Sequence, residues 1–397
     1  MKKQMHTSVP KAPTFTLPRR RFLQTAALAA ISVPGWSKPA QVPRTLTSIQ
    51  ICNQYDYAKV RELLGNMFDE VGGVRSLVKN QFVTIKVNLV NSPANVWSGV
   101  PYWMTTVVHP IVAKAAGSLL VEYGAKQVTF CDQLPFGENH DADFAHYDYN
   151  IDDFNKAMDG KCVFENTRNK GRHGAYDLAK VPYGGLLASA WEVNQSYTKT
   201  DVIVSLTKMK SHISGGVTLG MKNMFGVPPS SMYGEDGVDA PNENATGYRG
   251  QTMHNCTKKP STSIDTFNGK SIEQDHGFNV PQFIVDLNAA FPVELTIIDG
   301  VSTISNAEGT WNGSLVEVCR PNLLLVGRNP VCTDAVGASV MGFDPDAADR
   351  TPPFANGINC LKLAREMGLG ENRLSMLDVV GVPIETARYH FQPTYQR

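Results

Sequence analysis

The stretch SLTKMKSHISGGVTLGMKNMFGV, residues 205–227, sets Lys208, Lys210, His212 and Lys222 around the pair Gly215 and Gly216, between two apolar runs. Lysines held in apolar surroundings stabilise negative charge on a bound molecule, and an imidazole beside them can move a proton. If the strand that begins at DVIVSL runs on, Lys208, Lys210 and His212 alternate onto one face, as do Lys86 and Asn88 in TIKVN. The glycine pair lets backbone approach a ligand, and a short helix with Thr218, Lys222 and Asn223 follows. Free amides at its start, with the lysines, suit an anion. This pattern makes His212, Lys210 and Lys222 candidate catalytic residues. Lys86, Asn88, Lys208, Gly215, Gly216, Thr218 and Asn223 are candidates for binding the ligand.

Four carboxylates stand at comparable places. Asp132 ends VTFCD, Asp299 ends LTIID before Gly300, Glu308 precedes Gly309, and Asp334 opens the helical segment after NPVCT. Strand ends that feed loops are the usual places for catalytic and metal-binding groups. If two or three of these converge with His212, they form a mixed oxygen and nitrogen site for a divalent ion. The alternatives are a turn role for Asp299 and a helix-terminus role for Asp334. Among the other histidines, His109 before Pro110 reads as a helix-entry residue, while His140, His146, His173, His254 and His276 read as surface or lid. Nucleophile-elbow, zincin and P-loop motifs are absent from the sequence.

The elements that must position these residues are legible as a recurring pattern. Apolar, β-branched runs occur at 47–52, 82–90, 127–132, 201–206, 294–300, 322–327 and 376–382. Helix-period segments lie between most of them, at 57–71, 109–125, 280–291, 330–343 and 356–369. Continuous apolar strands alternating with helices predict an α/β fold with a mainly parallel twisted sheet and flanking helices. Two stretches break the alternation and read as long irregular insertions, about 133–200 and about 228–277; a stretch of the second kind is a lid or a disordered insertion.

The chain has 397 residues, 42% hydrophobic and 19% charged, with no formal net charge. Residues 1–40 carry seven Lys or Arg and no Asp or Glu, so the remainder holds 30 basic against 37 acidic residues. That balance argues against a nucleic-acid partner. The segment LPRRRFLQTAALAAISVPGW has the form of a twin-arginine export signal, with Arg19 and Arg20 as the pair. The other reading, a retained anchor, is opposed by the shortness of the apolar run and by Pro34. The expected organisation is a signal segment at 1–40 and one α/β domain over 41–397, exported to the periplasm by the twin-arginine machinery, with no stable membrane span once the signal is removed. Seven cysteines show no C-x-x-C and no zinc spacing, which argues against an iron–sulfur cluster or structural zinc; the odd count leaves at least one free thiol.

FVTIKVNLV, the helix after His109, DVIVSLTKMKSHISGGVTLGMKNMFGV, LTIIDGVSTISNAEG and NPVCTDAVGASVMGFDP, in this order, resemble the domain-of-unknown-function 362 family across most of residues 80–370. The resemblance implies an α/β domain and supplies no agreed reaction. Some relatives carry ferredoxin-like cysteine clusters that this chain lacks. The residues themselves predict an enzyme that acts on a small anionic molecule, with a divalent metal as an option. The alternatives are a non-catalytic periplasmic binding or accessory protein, and a redox protein whose cofactor is loaded before export.

Overall fold

A computed structural model describes residues 45–90, 100–136, 139–234, 249–262 and 274–394. The segment that reads as a twin-arginine signal lies outside the described residues, as do 235–248 and 263–273 of the expected lid. Eight strands form the central sheet: β1 Leu46–Ile51, β2 Phe82–Lys86, β3 Gln127–Asp132, β4 Cys162–Asn166, β5 Val202–Lys208, β6 Leu295–Gly300, β7 Leu323–Gly327 and β8 Asp378–Gly381. Their spatial order is β8-β1-β7-β6-β5-β2-β3-β4. Only β7 runs against its neighbours, β1 and β6; every other pairing is parallel. The fold is thus an α/β fold with a mostly parallel sheet.

Strand alternation divides the core into two layers. Leu323 and Leu325 pack on one side of β7 with Phe283 and Val336, whereas Leu324 and Val326 pack on the other with Leu64 and Val112. The helices follow this division. Helix α1 (Tyr57–Glu70) buries Val60, Leu63, Leu64, Met67 and Phe68, the stripe its period dictates, and Asp56 caps it by accepting from the Lys59 amide. Helix α2 (Pro110–Glu122) has proline at its first position, and His109 caps it through Nδ1, which accepts from the Ile111 amide. A one-turn helix, α3 (Gly220–Asn223), follows the glycine pair.

Helix α4 (His276–Ala290) begins four residues before the sequence pattern suggests, because Asp275 caps it and Pro281 is tolerated inside. The Gly277 carbonyl that Pro281 leaves without an intrahelical donor accepts instead from the Ile358 amide at 3.0 Å. Helix α5 (Pro330–Val340) is capped by Asn329, whose Oδ1 accepts from the Val331 and Cys332 amides. Helix α6 (Cys360–Glu366) completes this layer.

Residues 133–200 do not form an irregular insertion. They supply β4, the sheet's edge strand, plus helices at His140–Ala145 and Ile151–Ala157 and a small antiparallel pair, Tyr176–Lys180 with Ala190–Asn194. The Asp- and Asn-rich composition hid this, because those residues cap and tie rather than solvate. Asn150 caps the helix at Ile151, and Asn166 Nδ2 donates to Asp143 Oδ2 at 2.7 Å. Beneath them Phe164 stacks on Phe144 with ring centroids 4.7 Å apart and meets Phe130 and Phe154 edge-on. The seven cysteines form no disulfide among the described residues; six are buried, and Cys256 is half-buried. No helix among the described residues is long and apolar enough to cross a membrane.

Candidate functional site

The parallel strands β2, β3, β5 and β6 deliver Lys86, Asp132, Lys208 and Asp299 at or next to their carboxyl ends, where ligands gather in open α/β sheets. A cavity of about 690 Å³ opens there. It is lined by Lys86 and Asn88 after β2, Asp132 and Gln133 after β3, and Lys210, His212, Thr218, Lys222 and Asn223 after β5; Glu308 and Trp311 come from the loop after β6.

The floor is a closed network. Lys86 Nζ lies 2.7 Å from Asp132 Oδ1, with both side chains buried, and also donates to the Val87 carbonyl and to Asn223 Oδ1. Asp132 accepts in addition from the Leu89 and Gln133 amides. Burial pushes the Lys86 ammonium below its usual range, and Asp132 opposes this. Asn223 Nδ2 donates to the Lys86 carbonyl and Ser205 Oγ, which ties α3 to the ends of β2 and β5. Beside it Asn88, only 4% exposed, has an Oδ1 with no hydrogen-bond partner among the described residues.

The wall is the hairpin Lys210–His212 with Gly216–Thr218. Lys210 Nζ donates to Thr218 Oγ1 at 3.1 Å and to the Glu308 carbonyl at 2.9 Å. Burial lowers its pKa to about 8 against the pull of Glu308. His212 Nδ1 accepts from the amides of Ser214 and Gly215, both at 3.1 Å. That nitrogen therefore carries a lone pair, and the ring proton sits on Nε2. Glu308 Oε2, 3.3 Å from the same nitrogen, is not its ion-pair partner and accepts instead from the Ile213 amide. Burial first, then Lys222, Lys210 and His254, hold the imidazole well below its usual range, so it is a neutral Nε2–H donor.

Lys222 differs from the other cations. Among the described residues its ammonium has no hydrogen-bond or ion-pair partner, and it stands 4.5 Å from the centroid of the Phe225 ring. Burial lowers its pKa to about 7, helped by Lys210, Arg249 and Lys86 and opposed by Glu308.

Several expected site residues lie elsewhere. Lys208 does not share a face with Lys210 and His212, because the strand breaks at Met209, whose amide donates to the Asp299 carbonyl. Its ammonium turns instead to Asp299 Oδ2 at 2.9 Å and to the Tyr55 hydroxyl at 3.0 Å. Asp334 does not act on its own helix. Its two oxygens accept from the Gly220 and Met221 amides, each at 2.7 Å. The start of α3 is thus already occupied by a carboxylate, and its amides do not face a ligand as the sequence suggested. Burial raises the Asp334 carboxyl to about 8, against those two hydrogen bonds. The glycine pair is a packing device rather than a ligand cradle: Gly216 has φ +73°, and a Cβ there would lie 2.6 Å from the Phe354 ring.

The four carboxylates do not converge. Only Asp132 and Glu308 line the cavity, and the described residues contain no cluster of three metal-ligating side chains. Conversely, Arg249 and His254, from the aperiodic segment, do line it. Arg249 donates to Gln133 Oε1 and to the Phe225 and Pro228 carbonyls, while His254 stacks on Phe225 at 5.4 Å with the ring planes 1° apart. Nothing in the local pattern marks these two, because Arg249 caps and His254 ends a five-residue π-helical turn, Gly250–His254, with no apolar period.

No curated protein matches the chain significantly. Among solved structures, a protein from Thermotoga maritima aligns at 13% identity with a TM-score of 0.33, over 66% of this chain and 54% of the other. The lactate racemase apoprotein from Thermoanaerobacterium thermosaccharolyticum aligns at 8% identity with a TM-score of 0.39, over 77% and 59%. The chain thus spans less than two thirds of either, and similarity this distant says nothing about shared activity. Residues 83–339, which run from within β2 to within α5 and include every cavity residue named above, match the model of the family described as Domain of unknown function (DUF362), and the chain belongs to that family.

Proposed function

We propose that the protein is an enzyme that holds a small carboxylate- or phosphate-bearing molecule in this cavity. The observation that carries the reading is Lys222, a cation at the cavity wall with no protein partner among the described residues and with Lys210 and Arg249 as neighbours. Like charges gathered in a half-dry cleft favour an anion that neutralises them, and fixed charges of this kind stabilise developing negative charge. Lys210 and Lys222 supply charge, and His212 donates from Nε2. Lys222, with its pKa near neutrality, is the group best suited to take or give a proton. In a thermal-shift series with phosphate, sulfate and small carboxylates, the wild type is expected to be stabilised and Lys222→Met to respond weakly. An unchanged response in Lys222→Met and Lys210→Met ends the proposal.

The fixed, neutral state of His212 favours a second reading, capture without turnover. Mass spectrometry of the ligand after incubation separates the two, because a new product excludes capture alone. We also propose export through the twin-arginine route, on the strength of Arg19, Arg20 and the apolar run after them. Arg19→Lys with Arg20→Lys should leave the protein in the cytoplasmic fraction.

A further inference from the structure

We propose that Lys222 is a nucleophilic amine that forms an imine with the carbonyl carbon of a small oxo acid bound in the cavity. The inference rests on the anion-binding reading above and adds to it a reactive atom and a substrate class.

Four lysines come to the carboxyl-end side of the sheet. Lys86 is tied to Asp132, the Val87 carbonyl and Asn223. Lys208 is tied to Asp299 and Tyr55. Lys210 is tied to Thr218 and the Glu308 carbonyl. Lys222 alone of the four has no acceptor among the described residues, although its base is firmly held. Asp334 anchors the first two amides of α3, and Asn223, the next residue, is bound to the ends of β2 and β5. A fixed stem with an unengaged amine is what a nucleophile needs and what a structural lysine lacks.

Its surroundings favour the free base. Phe225 lies beneath the amine and carries His254 stacked on its ring. The charged and titratable groups that act on it are Lys210, Arg249 and Lys86, of its own sign, Glu308, of the opposite sign, the neutral imidazoles His212 and His254, and the Cys360 thiol, which burial keeps protonated. The like charges and burial hold the amine at a pKa of about 7, so about half is unprotonated at neutral pH. The same Lys210 and Arg249 would receive the substrate carboxylate, which sets the adjacent carbonyl carbon toward Lys222.

The step balances without a co-reactant. The unprotonated amine attacks the carbonyl carbon, a C–N bond forms, and the C=O electron pair moves to oxygen. The resulting carbinolamine loses that oxygen as water, which carries both amine hydrogens, and leaves a C=N bond to Lys222. The Nε2–H of His212 is a donor for the oxygen while it bears negative charge.

Trapping with glyoxylate or pyruvate and sodium cyanoborohydride on the full chain near pH 7, followed by peptide mapping, tests this. The expected result is a reduced adduct on Lys222 at least about tenfold above that on the exposed Lys59, which lies outside the cavity and pairs with Glu62, since each unit by which its surroundings lower the Lys222 pKa raises its free-amine fraction about tenfold. Lys222→Met should abolish this adduct while leaving labelling of Lys59 unchanged. No adduct on Lys222, or one no higher than on Lys59, overturns the proposal even if Lys222→Met fails to fold, because the mapping is done on the wild type. Stabilisation by phosphate without an adduct sinks the imine and leaves the anion-binding reading standing. An adduct on Lys222 alongside an unchanged phosphate response in both Lys222→Met and Lys210→Met does the reverse.

Discussion

Lys208 and Asp299 are register partners on adjacent parallel strands, with the ammonium 2.9 Å from the carboxylate and both side chains fully buried. Asp299 also accepts from the Tyr55 hydroxyl and the His109 amide, so the pair joins β5, β6 and the entry to α2. Its partners are all protein groups, which makes it a structural tie beside the cavity. Removing one member leaves a buried charge alone, the costly case for an ion pair. Asp299→Asn is expected to destabilise the chain by about 3 kcal/mol or more. Lys208→Met combined with Asp299→Leu should cost less than the two single changes summed. Urea midpoints for the four proteins in the cycle measure this.

Asp334 satisfies two backbone amides that have no other acceptor at the start of α3. Asp334→Ala is expected to cost about 3 kcal/mol, because an unsatisfied buried donor carries its full desolvation penalty. As α3 carries Lys222, anion affinity should fall as well. Asp334→Glu, too long for the site, should not restore it. Denaturation curves together with sulfate titrations report both effects.

Gly216 combines φ +73° with a Phe354 ring carbon 2.6 Å from where a Cβ would sit. Gly216→Ala therefore meets strain and overlap together and is expected to cost about 2 kcal/mol or more. Phe354→Leu in the same chain should recover part of that loss. Melting temperatures of the single and double variants give the comparison.

The pH dependence of anion binding follows from two lysines. Burial lowers Lys222 to about 7 and Lys210 to about 8, so both are cationic below these values and neutral above them. A bound anion favours the charged forms and shifts the window upward. Sulfate keeps one charge state here, and its affinity should fall as pH rises from about 6 to about 9, by roughly tenfold or more if both ammonium groups contribute. Calorimetric titration at several pH values checks this, and a flat profile counts against both lysines as ligands.

Without ligand, Lys222 holds a charge that burial and its neighbours disfavour. Lys222→Met is accordingly expected to raise the melting temperature of the ligand-free protein at about pH 6 by about 2 °C or more. The gain should shrink at about pH 9, where the wild-type amine is already neutral. A lower melting temperature in the variant at pH 6 contradicts the unpartnered placement.

Seven of the eight sheet strands and the helices at Tyr57–Glu70, Pro110–Glu122, His276–Ala290, Pro330–Val340 and Cys360–Glu366 are legible because continuous apolar runs and helix-period runs differ in length and spacing, whereas the short helices at His140–Ala145 and Ile151–Ala157 are not. Strand β4 was not, since five residues among Asp and Asn carry too little pattern and owe their place to Phe164 packing at long range. In the cavity, strand-end position was enough to mark Lys86, Asp132, Lys210 and His212 as residues that meet there. It failed for Lys208, where one break at Met209 reversed the alternation. It also failed for Asp334, where the partner amides are more than a hundred residues away in sequence. His254 reads as surface or lid from sequence, and nothing singles out Arg249, because the segment that carries them leaves no periodic trace.

The cavity draws its walls from Lys86 through Trp311, and its residues meet only when four parallel strands and the segment around Arg249 are all in place. An occupant therefore works as a staple across the whole fold: it stabilises the native chain by RT ln(1 + [L]/Kd) and has nothing to grip in the unfolded one. Occupancy and resistance to proteolysis should rise together. On the proposed reading the empty protein is the form most readily degraded, and the abundance of this chain should rise with the supply of what it binds.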